Sequence, residues 1–177
     1  MLSLSAHARE LTVGDKIPDC ALLDSKGKPL LISNFRGRAL AITFIFTRCP
    51  LPEFCPRLTT HFKEAQREMA KTGDHNWHLL TLSFDPGHDT PALLALYART
   101  HGTDDSRWFF ATGEHDEVTR FGTAFGLEVT TKEGLIDHNL RTVVIDPAGR
   151  VQHLFKGSDW TPAELIWEMQ KAMRMKP

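Results

Sequence analysis

The run Ala39-Leu40-Ala41-Ile42-Thr43-Phe44-Ile45-Phe46 is almost unbroken in its apolarity and carries β-branched members. Such a run marks a strand covered on both faces, as in a parallel sheet, where helices pack above and below. Trp77 to Phe84 has the same character. Two strands of this kind separated by a helical stretch constrain the chain to an α/β architecture. The chemistry sits directly after the first run, in Thr47-Arg48-Cys49-Pro50-Leu51-Pro52-Glu53-Phe54-Cys55-Pro56. Two of the three cysteines are spent in this proline-stiffened loop.

The remaining elements follow from period and punctuation. Gly14 to Leu23 and Lys28 to Ile32 read as an N-terminal hairpin turned at Asp24-Ser25-Lys26-Gly27. Cys55 to Lys71 is helical, with Leu58, Phe62, Ala65 and Met69 on one stripe. Thr90 opens a second helix at Pro91 that ends before Gly102. Arg107 to Thr112 is a short strand, and Glu114 to Phe125 is a helix stopped near Gly126. Leu140 to Asp146 and Val151 to Lys156 form a hairpin about Pro147-Ala148-Gly149. Thr161-Pro162 starts the last helix, Pro162 to Met175. This order predicts one domain over residues 1–177 with a thioredoxin-like fold: a central mixed sheet flanked by helices, extended by the N-terminal hairpin. Residues 1–10 are expected to be poorly ordered.

Composition removes several classes of partner. With 21 basic and 22 acidic residues and a net charge of −1, there is no electrostatic reason to expect nucleic acid or an anionic membrane. No apolar stretch approaches the ~20 residues that span a bilayer. Met1 to Glu10 shows neither a basic n-region nor an apolar h-region, so no export signal is visible there. No small-molecule substrate is evident either.

In this fold the reactive cysteines stand where the first central strand meets its helix. The positive end of a helix favours thiolate over thiol, and Cys55 stands at such a start. Three chemistries suit the pair. Disulfide exchange normally uses Cys-x-x-Cys, which is absent, and a proline before the facing strand. The corresponding stretch, Gly134-Leu135-Ile136-Asp137-His138, has no proline and offers a histidine. Peroxide reduction calls for Pro-x-x-x-Thr-x-x-Cys. Thr47 stands two residues ahead of Cys49 and lacks the proline. A metal is the third option: two thiolates and an imidazole form a soft set that favours copper, with zinc also possible.

Three segments carry a family resemblance: Phe44-Ile45-Phe46-Thr47-Arg48-Cys49-Pro50 with Cys55-Pro56; Ser83-Phe84-Asp85-Pro86-Gly87-His88-Asp89-Thr90-Pro91; and Asp137-His138-Asn139 ahead of Val143-Val144-Ile145-Asp146-Pro147-Ala148-Gly149. Together they resemble the Sco/SenC family of copper-binding, thioredoxin-like assembly proteins for cytochrome c oxidase. The resemblance implies copper as Cu(I) or Cu(II), held by Cys49, Cys55 and His138. Asp85 and Asp137 are expected to support those ligands from outside. It implies a cytochrome c oxidase subunit or another copper protein as partner, and a place in the bacterial periplasm or on the outer face of the inner membrane. A redox-active dithiol of Cys49 and Cys55 that keeps the oxidase's cysteines reduced is the alternative. One departure stands out. The family's Cys-Pro-x-x-Cys-Pro places three residues between the cysteines, and this chain has five. Such a loop is expected to project Leu51 and Phe54 toward a partner.

Less specific roles apply to the other candidates. Cys49 and Cys55 also fit a structural disulfide, and His138 also fits a strand-edge residue satisfied by a carbonyl. Asp85 and Asp89 fit either acceptors that orient the site or caps of the turn and of the helix at Pro91, and capping is the expected role for Asp89. Cys20, Met169 and Met173 read as core, and His75, His78, His88, His101 and His115 as solvated surface that builds no second metal cluster.

Overall fold

The two apolar runs become the middle of one sheet in a computed structural model that describes residues 9–102 and 106–177. The expectation of disorder over residues 1–10 falls, for residues 1–8, outside the described residues. The elements are β1 (Ala21–Asp24), β2 (Pro29–Leu31), β3 (Ala39–Ile45), α1 (Cys55–Ala70), β4 (Trp77–Ser83), α2 (Pro91–His101), β5 (Trp108–Thr112), α3 (His115–Ala124), β6 (Val129–Lys132), β7 (Leu135–His138), β8 (Arg141–Ile145), β9 (Val151–Lys156) and α4 (Pro162–Met173). Seven strands form a mixed sheet in the order β2-β1-β5-β4-β3-β8-β9. β3, β4 and β5 run parallel, whereas β8 is antiparallel to β3 and β9 to β8. The unit β3-α1-β4 followed by the β8–β9 hairpin and α4 is the thioredoxin-like core the sequence predicts.

All seven residues of β3 and of β4 are buried. Alternation along the strands divides them between two cores. Leu40, Ile42, Phe44, Leu80 and Leu82 meet Val118 and Phe121 of α3, Phe125 just past its end, and the N-terminal Cys20, Leu22 and Phe35. Ala39, Ala41 and Leu79 lie on the other face under α1 and α4, with Leu58, Phe62 and Met69 against Leu165, Met169 and Ala172. Small residues on β3 leave room for those two helices to approach the sheet together. Thr90 accepts a hydrogen bond from the Leu93 N–H and begins α2, and Gly102, left-handed at φ 64°, ends it. Thr161 and Glu164 form a reciprocal capping box at the start of α4.

Two features depart from the sequence reading. The first is the separate hairpin of β6 and β7, where only connecting chain was expected. Its four β6 residues are all exposed, so no buried-polar alternation announces it. Its two-residue turn places Glu133 (φ 51°) and Gly134 (φ 80°) in the left-handed region, the type I′ geometry of tight hairpins. The second is His78, expected on the surface and in fact buried on β4, edge-on to Phe35 and Phe109 at 5.5 and 5.4 Å. Its Nδ1 has no hydrogen-bond partner. Burial holds its pKa down to about 4, with the Arg38 and Arg107 charges adding to the effect.

Candidate metal and thiol site

Cys49, Cys55 and His138 come together from three separate parts of the chain. Their ligand atoms all lie within 4.8 Å of one another. Cys55 is the first residue of α1, followed by Pro56, which gives up no hydrogen bond at that position. Cys49 stands in the loop after β3, where its N–H donates to the Phe46 carbonyl at 3.3 Å. His138 ends β7 and pairs with Val129 across the hairpin. The unforeseen hairpin is therefore the element that delivers the imidazole.

The ring is fixed from all sides. His138 Nδ1 donates to the Asn139 carbonyl at 2.7 Å, which in the neutral ring leaves the Nε2 lone pair free, 3.8 Å from Cys55 Sγ. The carbonyl contact foreseen as a purely structural alternative thus sets the tautomer that a ligand needs. Phe46, Phe54 and Phe84 pack around the imidazole with centroids 5.4, 5.9 and 4.9 Å away. Asn139 secures the base of the hairpin by receiving the Glu128 N–H at Oδ1 and donating to the Gly126 carbonyl.

The loop between the cysteines turns back on the site. Leu51 is exposed as expected, but Phe54 packs its ring edge-on against His138 instead of projecting outward. Ser158 donates to the Glu53 carbonyl at 2.8 Å and ties the outer part of the loop to the segment before α4. The two extra residues are absorbed without separating the sulfurs.

All three cysteines are free thiols. Cys55 is buried and Cys49 half-exposed, and the two share charge unequally. A hydrogen bond from the Cys55 thiol holds the Cys49 pKa down to about 5. The same pairing with Cys49, reinforced by burial, pushes the Cys55 thiol far up. The helix start was expected to favour thiolate at Cys55. Burial and the neighbouring sulfur override it, and the more exposed Cys49 carries the charge. Cys20 is a core thiol raised by burial to about 11.

The expected supporting carboxylates lie elsewhere. Asp137 is exposed, and strand alternation turns it away from the face that carries His138. Asp85 accepts from Arg48 Nε at 2.9 Å and does not join the three-residue group. Asp89 does not cap α2, since Thr90 takes that position. It is fully buried and accepts from Thr47, Ser83 and His88. His88 stands with Asp85 and Asp89 in a second cluster that the sequence reading had excluded. Both carboxylates are already engaged by protein donors. The residues sequence reasoning missed are Thr47, Asn139, Ser158 and the phenylalanine cage. Only Asn139 carried a signal, through its place beside His138.

A three-donor fit can be checked directly. Bonds of about 2.3 Å to sulfur and 2.0 Å to nitrogen, spread in a plane, separate S and N by about 3.7 Å. The observed Cys55–His138 distance is 3.8 Å. The donor set is soft, and this one sulfur–nitrogen separation suits an ion bound to both Cys55 and His138.

Comparison with known proteins places the chain among relatives. The profile of the SCO1/SenC family matches residues 11–174. The SCO1 protein homolog of Bacillus subtilis is 26% identical over 155 residues, covering 85% of this chain and 79% of that one. The chain spans about half the length of the mitochondrial SCO2 homologs it matches, 53% of the bovine protein. Among solved structures, ScoI of Bradyrhizobium japonicum with copper bound aligns at a TM-score of 0.73 and 25% identity, covering 89% of this chain and 99% of that one. The BsSco structure, described as a member of the Sco family of cytochrome c oxidase assembly proteins with a disulfide switch, aligns at 0.79 and 24% identity, covering 94% and 98%.

Proposed function

The chain belongs to the SCO1/SenC family, and from that premise we propose that it is a copper-binding metallochaperone whose ligands are Cys49, Cys55 and His138. The observation that carries the reading is the convergence of two sulfurs and an imidazole within 4.8 Å of one another. A structural zinc site normally has four protein ligands. Three donors with an open side suit an ion that is received and passed on. The recipient in this reading is a cytochrome c oxidase subunit or another copper protein. The place of action is the bacterial periplasm or the outer face of the inner membrane. Among the described residues no helix is long and apolar enough to cross a membrane.

Copper(II) titration of the reduced protein tests the reading. One equivalent is expected to produce a sulfur-to-copper charge-transfer band that is lost in Cys49→Ala and in Cys55→Ala. Undiminished binding in both variants overturns it.

A second reading, thiol–disulfide exchange, is favoured by one specific observation. Two free thiols, Cys49 and Cys55, stand side by side, and the pairing lowers the pKa of the more exposed Cys49 while raising that of buried Cys55. Reduction of a disulfide substrate by the metal-free protein, unaffected by loss of His138, would support it over copper carriage. The two roles are compatible, because the dithiol must be reduced before it holds a metal.

A further inference from the structure

Asp89 is an acidic side chain with no exposure to solvent, and its surroundings explain how it is tolerated. A buried carboxylate is costly unless its oxygens are fully engaged. Here Oδ2 accepts from the Thr47 N–H at 2.9 Å and the Ser83 hydroxyl at 2.6 Å. Oδ1 accepts from the Thr47 hydroxyl at 2.5 Å and from His88 Nδ1 at 3.0 Å. None of these bonds serves α2, whose first turn is capped by Thr90. Two of the four go to a single residue 42 positions away in sequence. That residue, Thr47, is two places before Cys49, at the point where β3 gives way to the cysteine loop. Arg48 is tied to the same β4–α2 segment through Asp85 at 2.9 Å, at the surface.

The loop from Arg48 to Phe54 begins at Thr47 and ends at Cys55. Its far end is fixed because Cys55 belongs to a helix packed on the sheet. Its near end has no ladder partner: the β3–β4 pairing stops at Ile45 and Ser83. Asp89 restrains it through Thr47, beside the Arg48–Asp85 ion pair and the Cys49 N–H bond to the Phe46 carbonyl. We infer that Asp89, acting through Thr47, is a positioning residue that sets where Cys49 Sγ stands relative to Cys55. The five-residue gap makes this restraint matter, since a longer loop samples more placements of its sulfur than a shorter one. The inference rests on the reading of Cys49 and Cys55 as a working pair.

The test separates positioning from mere stability. Thr47→Val removes the hydroxyl donor on the loop, Thr47→Ser restores it, and Ser83→Ala removes a donor to the same carboxylate away from the loop. Each metal-free protein is equilibrated with reduced and oxidised dithiothreitol. The Cys49 and Cys55 thiols lose two electrons and two protons to form one disulfide, and oxidised dithiothreitol takes them up to become the dithiol. The equilibrium constant reads how closely the two sulfurs are held. Thr47→Val is expected to lower it about tenfold, the size of one hydrogen bond to a charged acceptor. Thr47→Ser is expected to recover it, and Ser83→Ala to leave it unchanged while lowering the melting temperature. Equal effects of Thr47→Val and Ser83→Ala, no effect of either, or a wild type that forms no disulfide would each overturn the inference. Copper(I) affinity is measured on the same proteins. A wild type that binds no copper sinks the metallochaperone reading while leaving the dithiothreitol result to judge Asp89.

Discussion

The unequal charge on the two sulfurs makes a kinetic prediction that differs from the usual one for an activated thiol. Cys49 is held at about 5, against 9.0 for an ordinary thiol. At pH 7 it is therefore about 99% thiolate, where an ordinary cysteine is about 1% ionised, a gain of roughly 100-fold in reactive species. Each such thiolate is a weaker nucleophile. With a Brønsted slope of about 0.4–0.5, four units of pKa lower its intrinsic rate roughly 40- to 100-fold. The two effects nearly cancel at pH 7, and Cys49 should react with 2,2′-dipyridyl disulfide within about threefold of an unperturbed thiol. At pH 5 the balance changes: Cys49 is still about half ionised and an ordinary thiol about 0.01%, so Cys49 should be roughly 50- to 125-fold faster. The assay is thiopyridone release between pH 4 and 9, with first attack assigned to Cys49 by its loss in Cys49→Ala. Cys55 and Cys20 are buried with raised pKa values and should contribute nothing to the initial phase. Because the hydrogen bond from Cys55 is the largest cause of the shift, Cys55→Ala should move the midpoint back toward 9. A wild-type rate that falls tenfold per pH unit below pH 8, or first reaction at Cys55, would refute the reasoning.

Other expectations follow from the same structure. The Cys49 pKa is lower in the folded chain than in the unfolded one, so its stabilisation is complete above pH 9 and is lost as pH falls toward about 5. The gap in urea midpoint between wild type and Cys49→Ala should widen with rising pH across that window. His78 is depressed from 6.5 to about 4, so its contribution is present above pH 6.5 and disappears as pH falls toward 4. His78→Phe, which retains the ring contacts and removes the unpaired Nδ1, should flatten acid destabilisation in that range in urea melts. Glu133→Asn should stabilise the β6–β7 hairpin by about 1 kcal/mol, because asparagine tolerates the left-handed conformation better, and should slow amide exchange there.

What the sequence reveals and what it hides divide along physical lines. β3 and β4 are legible because strands covered on both faces must be continuously apolar, and α2 and α4 because Thr90, Gly102 and the Thr161–Glu164 box are local signals. The β6–β7 hairpin is not legible. Its residues are mostly exposed, and its turn uses glutamate where asparagine or aspartate would advertise a type I′ geometry. His78 is buried as its place inside the run Trp77 to Phe84 requires, against the surface position its polarity suggests. At the site, residue types and positions together with the family resemblance point to Cys49, Cys55 and His138, which the structure brings together. The contacts that hold them are tertiary: Asp89 reaches back to Thr47, Ser158 to Glu53, and Phe46, Phe54 and Phe84 enclose an imidazole from separate parts of the chain. The place of Asp89 near Pro91 suggests a cap, but Thr90 fills that role and Asp89 turns to Thr47 instead.

The most direct measurement of the central claim is the copper(I) affinity of His138→Phe, read by competition with a chromophoric chelator. Phenylalanine preserves the ring packing against Phe46, Phe54 and Phe84 and removes the nitrogen that faces Cys55. Loss of outer partners of metal ligands already weakens binding about 10- to 100-fold, so loss of a ligand itself should weaken it more than about 100-fold. The account predicts that loss with the fold intact. An affinity unchanged from wild type would contradict it.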